Sequence, residues 1–438
     1  MRNVRQHAAP GWIRALAVAV AIAWWPPSAA GAADFTKYHT HQELSAALKA
    51  AVAAHSDIAR VASIGRTREG RDVWVVEIAN PAGTPIMERP ALLIAANFEG
   101  DHLVGSALAL SVVEHLLNGY AGDAAIKQRL DTHVIYVIPR VNADGAEQMF
   151  APVRSLRRTN QTPIDADNDG RTDEDGPDDL NKDGVITLMR VKDPKGPYMV
   201  SPDDPRLMKR ADPARGETGG WALYWEGVDN DGDGFYNEDG PGGVDINRNF
   251  MHQYPYFEPD AGRYMVSETE TRAVLDFMLA HRHIAAILTF GESDNLIAAP
   301  GRSGSLGTPN PLSLLEFADR SYAEARRVGM FQDMGGLGGR GGGRSFVMMD
   351  EMGAPGQRGG TAPAGGRGAM PARRPATTIN PADVEYFRVV SEKYRELTGL
   401  RAAGVTRTPA GAFFEYGYYQ FGVPSFSTPG WGLPAGAA

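Results

Sequence analysis

The sequence predicts an α/β fold, a sheet with helical cover, and three observations predict it. Nearly continuous apolar runs at Ala91 to Ala96, Val134 to Ile138 and Ile284 to Phe290 suit strands buried on both faces. Segments with apolar residues at helical spacing alternate with strand patterns. Turn-forming or glycine-containing stretches follow the runs directly, at the strand ends where open α/β sheets usually bind ligands.

Gln42 to Ala54 carries Leu44, Leu48 and Val52 on one helical face, and Val73 to Ile78 reads as a strand entered from the Gly65 to Gly70 turn. After the run Ala91 to Ala96, helical spacing returns over Leu103 to Leu117, so the link Asn97 to His102 sits at a strand's C-terminal end. Val134 to Ile138 ends in Pro139-Arg140-Val141-Asn142-Ala143-Asp144-Gly145, whose Asp-Gly step marks a turn. Ser267-Glu268-Thr269-Glu270 has capping-box spacing ahead of a helix to about His281. The last run, Ile284 to Phe290, leads straight into Gly291.

Residues 1–32 read as a signal peptide. Arg2, Arg5 and Arg14 lead into the apolar run Ala15 to Trp25, and Ala30-Gly31-Ala32 stands where cleavage would fall. The run is shorter than the roughly 20 residues of a membrane helix, so a secreted or periplasmic protein without a stable membrane span is expected. About 400 residues remain, ample for one large domain, taken as 34–434. With no cysteine, disulfides and thiolate metal sites are excluded, and any metal must use His, Asp or Glu. A net charge of −9 without a basic stripe argues against a nucleic-acid partner. Two stretches interrupt the α/β pattern: the Gly/Pro/Arg-rich segment 334–376, expected to be a disordered loop, and the acidic insert 163–243.

Several motifs, in order, resemble the zinc carboxypeptidases of the carboxypeptidase A and B type. They run from the turn Gly65-Arg66-Thr67-Arg68-Glu69-Gly70-Arg71 to the segment Tyr418 to Trp431. Asn142-Ala143-Asp144-Gly145 is similar to the family's N-P-D-G turn, Arg158 falls at its substrate-polarising arginine, and Asp245-Ile246-Asn247-Arg248-Asn249-Phe250 matches its D-x-N-R-N-F segment. The resemblance implies a three-layer α/β/α architecture around a mixed, mostly parallel sheet, zinc as cofactor, and peptide C-termini or peptidoglycan stem peptides as partners. It also implies that Arg158 stabilises an oxyanion while Asn247 and Arg248 grip a terminal carboxylate, which a planar guanidinium fits bidentately. Pairing of Arg248 with an acidic neighbour such as Asp245 is the alternative.

The family's zinc uses H-x-x-E after the buried strand and one His after a later strand, leaving a position for the attacking water. Here Glu99-Gly100-Asp101-His102 carries both donor types exchanged, so Glu99 and His102 are the candidate zinc ligands. Gly291 stands at the later His, leaving Glu292 or Asp101 as further oxygen donors. No acid follows Glu415, so the family's general base is replaced within Pro424 to Trp431, and its substrate-side tyrosine by Thr408. Loss of a base costs on the order of 10²- to 10⁴-fold in rate. Three expectations stay open: a metallocarboxypeptidase with an unusual metal pair, an inactive relative that binds free C-termini, and a structural envelope protein.

Within the acidic insert, Asp165, Asp167, Asp169, Gly170 and Asp173 follow D-x-D-x-D-G-x-x-D, and Asp229, Asp231, Asp233, Gly234 and Asn237 repeat it. Asp179, Asn181, Asp183 and Gly184 form a partial third copy. Alternate carboxylates bring hard oxygens onto one centre while glycine permits the sharp turn, the pattern of calcium loops. Gly176 and Gly240 occupy the last position where an EF-hand has Glu, so calcium loops without EF-hand helices are expected, in a structural role. A chelator is predicted to lower the melting temperature of the purified protein; an unchanged melt with no bound calcium would remove the calcium expectation.

Overall fold

Ala91–Ala96 (β3) is apolar at every position because both of its faces are covered. Leu93 and Ala95 enter one core, and Ile94 and Ala96 enter the other. The computed structural model describes residues 33–165, 170–173, 175–230, 232, 237, 242–300, 306–307, 377–403, 406 and 408–434. The segment 1–32, expected as a signal peptide, and the segment 334–376, expected as a disordered loop, lie outside the described residues.

Around β3 stand β1 (Ala59–Arg66), β2 (Asp72–Ile78), β4 (Val134–Ile138), β9 (Ile284–Phe290) and β11 (Ser425–Thr428), in the spatial order β1-β2-β4-β3-β9-β11. The run from β4 through β3 and β9 to β11 is parallel, and β1 and β2 are antiparallel additions. The sheet is therefore mixed and mostly parallel, as expected. One face is covered by α1 (His41–Ala54), α2 (Leu103–Gly119) and α3 (Ala124–Thr132), through Leu44, Leu48, Leu110, Leu117 and Leu130. The other is covered by α5 (Thr269–Ala280) with Val274, Leu275, Phe277 and Met278, and by Phe250 and Phe413. Each such fully buried side chain contributes roughly 1.5–3 kcal/mol of transfer free energy. A smaller core, including Phe387, Phe414 and Phe426, seats α6 (Val384–Thr398) on the β11 edge. Among the described residues no helix is long and apolar enough to cross a membrane.

Within the acidic insert, β5 (Leu188–Lys192), β6 (Tyr198–Val200), β7 (Met208–Arg210) and β8 (Trp221–Trp225) form a separate antiparallel sheet, ordered β5-β8-β6-β7. Sequence reading saw only acidic loops there, because two of the strands are three residues long and too short to establish a period.

The turn before β2 is tied to the one after β4 by Asp144, which lies in α4 (Ala143–Glu147). Its fully buried carboxylate accepts from Thr67 Oγ1 at 2.6 Å, from the Glu69 amide at 2.9 Å and from Arg71 Nη1 at 2.7 Å. A buried charge is tolerable only when hydrogen-bonded and paired in this way.

The capping box expected at Ser267 does not form. Helix α5 begins at Thr269 with Glu268 as N-cap and no side-chain cap bond. Ser267 Oγ instead donates to Glu268 Oε1 at 2.7 Å and accepts from Asn249 Nδ2 at 3.1 Å, so tertiary ties take the hydroxyl away from the helix. Glu270, the expected capping partner, is 1% exposed, with one oxygen on Thr269 Oγ1 at 3.0 Å and the other unpartnered. Burial pushes its carboxyl up to about 7.

Folding therefore favours the protonated acid, and the native state is destabilised as pH rises from the unfolded value near 4.5 through 7. Glu270→Gln is predicted to raise stability above pH 7 by up to about 3 kcal/mol, at ~1.4 kcal/mol per pH unit, and to give no such gain below pH 4.5. Denaturant melts of both proteins at pH 4.5 and 8 check this; a pH-independent difference would refute it.

Candidate functional site

Three parallel strands deliver the candidate groups to one edge. Strand β3 leads to Asn97 through His102, β4 to Asn142, and β9 to Gly291 and Glu292. Asn97 takes a left-handed backbone, φ 57°, and its side-chain amide donates to the Glu99 carbonyl at 2.6 Å, closing the tight loop. Gly100 is required by close approach, since a Cβ there would stand 2.5 Å from the Arg157 carbonyl oxygen.

Arg158 fastens these loops. Its carbonyl accepts from the Gly100 amide at 2.8 Å and from Asn142 Nδ2 at 3.0 Å, while its guanidinium reaches Glu292 bidentately, with Nη2 to Oε1 at 2.5 Å and Nη1 to Oε2. Burial opposes its charge, but Glu292 and the fully buried Asp245 hold the guanidinium protonated well above its ordinary range. Glu292, expected as a spare metal donor, is thus committed to Arg158.

Asp245 caps the short 3-10 turn Ile246–Arg248, accepting from the Asn247 amide at 2.9 Å. The Asn247 side chain donates to Glu99 Oε1 at 2.7 Å and accepts from the Phe413 amide at 2.9 Å, so both of its ends are used inside the protein. Arg248 pairs with Asp260 and approaches Glu258 at 3.8 Å. The acidic partner that sequence reading allowed for is therefore Asp260, not Asp245. Asn247 and Arg248, expected side by side as one grip, face different neighbours.

Glu99 is fully buried, and its Oε2 has no partner. Burial first, then the negative charges of Glu292 and Asp245, push its carboxyl up to about 8 against the opposing Arg158. His102 is 8% exposed, and neither ring nitrogen makes a hydrogen bond of full geometry, though the Pro429 carbonyl lies near enough to act on it. Burial lowers its imidazole to about 4. Burial thus favours the uncharged form of each group.

These orphaned atoms are what zinc would engage, so they test whether the site fits the metal. A catalytic zinc takes three protein donors and a water. Gly291 offers none, and a Cβ built on it stands 3.3 Å from Glu99 Oε2, so the carboxylate fills the space in front of it. Both Glu292 oxygens are on Arg158, and Asn247 turns its N–H rather than its oxygen to Glu99. Among the described residues no three His, Asp or Glu side chains converge as a metal site, so Asp101 does not complete a set. The donors present do not fit a catalytic zinc. Glu415, in α7 (Phe413–Tyr416), is pushed up to about 7 by burial and acts electrostatically on Tyr419.

In the acidic insert, Asp165 accepts from the Gly170 amide at 3.0 Å, Asp179 from the amides of Asp183 and Gly184 at 3.1 and 2.8 Å, and Asp229 from the Gly232 amide at 2.7 Å. Asn181 and Asp183 bond to each other, and Asp173 accepts from the Gly242 amide at 2.9 Å. Asn237 donates to the Trp225 carbonyl at 2.7 Å. Asp173 and Asn237, at equivalent positions of the repeat, share a left-handed backbone with φ of 57° and 55°. The fully buried Asp175 joins the two copies, accepting from the amides of Asn230 and Asn237. Asp167, Asp169, Asp231 and Asp233 lie outside the described residues.

Glu99, His102, Arg158, Asn247 and Arg248 are candidates in the sequence by residue type, whereas the hold of Glu292 and Asp260 on the two arginines is visible only in the structure. An acid directly after the Gly291 strand end was the available signal for Glu292. Asp260, twelve residues from Arg248, left none.

Residues 44–334 match the family model described as zinc carboxypeptidase. The chain is 30% identical over 139 residues to a zinc carboxypeptidase of Saccharothrix mutabilis subsp. capreolus, covering 30% of this chain and 32% of that protein. It is 31% identical over 121 residues to carboxypeptidase M of Mus musculus, covering 28% and 27%. The matched segments thus span about a third or less of these relatives' own length. Among solved structures, carboxypeptidase A from Helicoverpa armigera aligns with a TM-score of 0.38 at 18% identity, over 64% of this chain and 54% of that one. With the family model matching well over half of its length, the chain belongs to the zinc carboxypeptidase family.

Proposed function

We propose that this chain recognises the free C-terminus of a peptide without carrying out the family's zinc-dependent hydrolysis. The observation that carries the reading is the donor set. Glu99 turns an unpartnered oxygen toward Gly291, which has no ligand of its own to offer, while the two guanidiniums suited to a carboxylate are retained. In this reading a terminal carboxylate exchanges for the acids now on Arg158 and Arg248. Asn247 positions Glu99 and the chain at Phe413 and does not grip the ligand.

A peptide, rather than a small acid, is favoured by the loop that supplies Asp260. Tyr256, Phe257 and Tyr264 are all more than half exposed on it, and Phe257 has φ 67°, a left-handed backbone costly for an aromatic residue. The loop is nevertheless pinned. Asn249 Nδ2 donates to the carbonyls of Ala261 and Tyr264, and Tyr254 Oη to that of Gly262 at 2.6 Å. An apolar surface held ready beside Arg248 suits the body of a bound chain. Peptidoglycan stem peptides share the free carboxylate and are a second partner class. Export, through residues 1–32, and structural calcium in the acidic insert belong to the same proposal, since millimolar calcium outside the cell fills loops of about 10⁻⁴ to 10⁻³ M affinity.

Calorimetric titration with one peptide in free and amidated forms, alongside zinc content and cleavage assays in zinc-supplemented buffer, tests the reading. Tighter binding of the free than of the amidated form, weakened at least tenfold by Arg248→Ala, with no stoichiometric zinc and no cleavage, is expected. Stoichiometric zinc with release of C-terminal residues would overturn it in favour of a peptidase using Glu99 and His102, the reading that their unpartnered atoms favour.

A further inference from the structure

The Arg158–Glu292 pair reproduces, within the chain, the contact that a peptide's terminal carboxylate would make. Both guanidinium terminal nitrogens meet both carboxylate oxygens in a fork. The side chains are 26% and 21% exposed, so the pair lies at the rim, where an incoming group can reach it. Glu292 follows Gly291 at the end of β9, which delivers this acid covalently to the edge where the ligand must bind. An anion approaching Arg158 therefore meets a guanidinium already neutralised, with Asp245 and Asp101 adding further negative charge.

We propose that Glu292 is an intramolecular competitor for Arg158 and so a specificity-determining residue. A ligand carboxylate binds only by displacing it, which favours ligands that also engage Arg248 or the aromatic loop over free small acids. The inference rests on the reading of the site as a C-terminus grip. Removing the Glu292 charge frees Arg158 for the ligand. The fold tolerates the change because Asp245 and Asp101 continue to compensate the guanidinium, and its carbonyl remains held by Gly100 and Asn142.

The test compares wild type, Glu292→Gln and Glu292→Ala by calorimetric titration with the same peptide in free and amidated forms. Both variants are expected to bind the free peptide on the order of tenfold more tightly, with binding of the amidated peptide unchanged, so that the free-to-amidated ratio rises. A merely structural role would move both peptides together. If wild type prefers the free peptide but neither variant raises the ratio, the competitor inference fails and the C-terminus reading stands. If wild type binds both forms equally, the reading fails and the inference falls with it.

Discussion

One residue joins the working edge of the sheet. The Arg158 carbonyl is held by Gly100, beyond β3, and by Asn142, beyond β4, while its guanidinium is held by Glu292, beyond β9. The ends of three parallel strands are thereby tied to one residue. Asn247 extends the frame, binding Glu99 on one side and the amide of Phe413 on the other. Side chains held from several elements at once lose little further freedom on binding, so the edge is organised before any ligand arrives.

That organisation comes with a charge imbalance. Glu99, Asp101, Asp245 and Glu292 stand near the single guanidinium of Arg158, more negative charge than one cation neutralises. In a setting with little water the imbalance favours the neutral form of an acid, and the buried Glu99 carboxyl is pushed up accordingly. His102, equally enclosed, stays neutral. A metal at this edge would face a carboxyl held toward its neutral form and a glycine with no donor to offer.

Much of the architecture was legible in the sequence because its cause is local. The runs 91–96, 134–138 and 284–290 are strands over those spans, since only a strand covered on both faces needs unbroken apolar sequence. Ser267 shows where local signals stop. Its spacing says cap, but Asn249 and Glu268 compete for the same hydroxyl and win. The site divides in the same way. Glu99, His102, Arg158, Asn247 and Arg248 stand out in the sequence as candidates by residue type and order. Their partners do not, because pairing depends on which loops the fold brings together, as Asp260 does for Arg248.

Gly291 and Glu99 are coupled by packing. A side chain at 291 would begin 3.3 Å from Glu99 Oε2, and an imidazole extending from that Cβ would run into the carboxylate. Glu99 cannot readily withdraw, because it is fully enclosed and its other oxygen is held by Asn247. The carboxylate at position 99 and the absence of a side chain at 291 therefore fit one another. Restoring a histidine at 291 alone would set a ring against a carboxyl instead of completing a metal site. At this edge the space in front of Gly291 is filled by the Glu99 carboxylate.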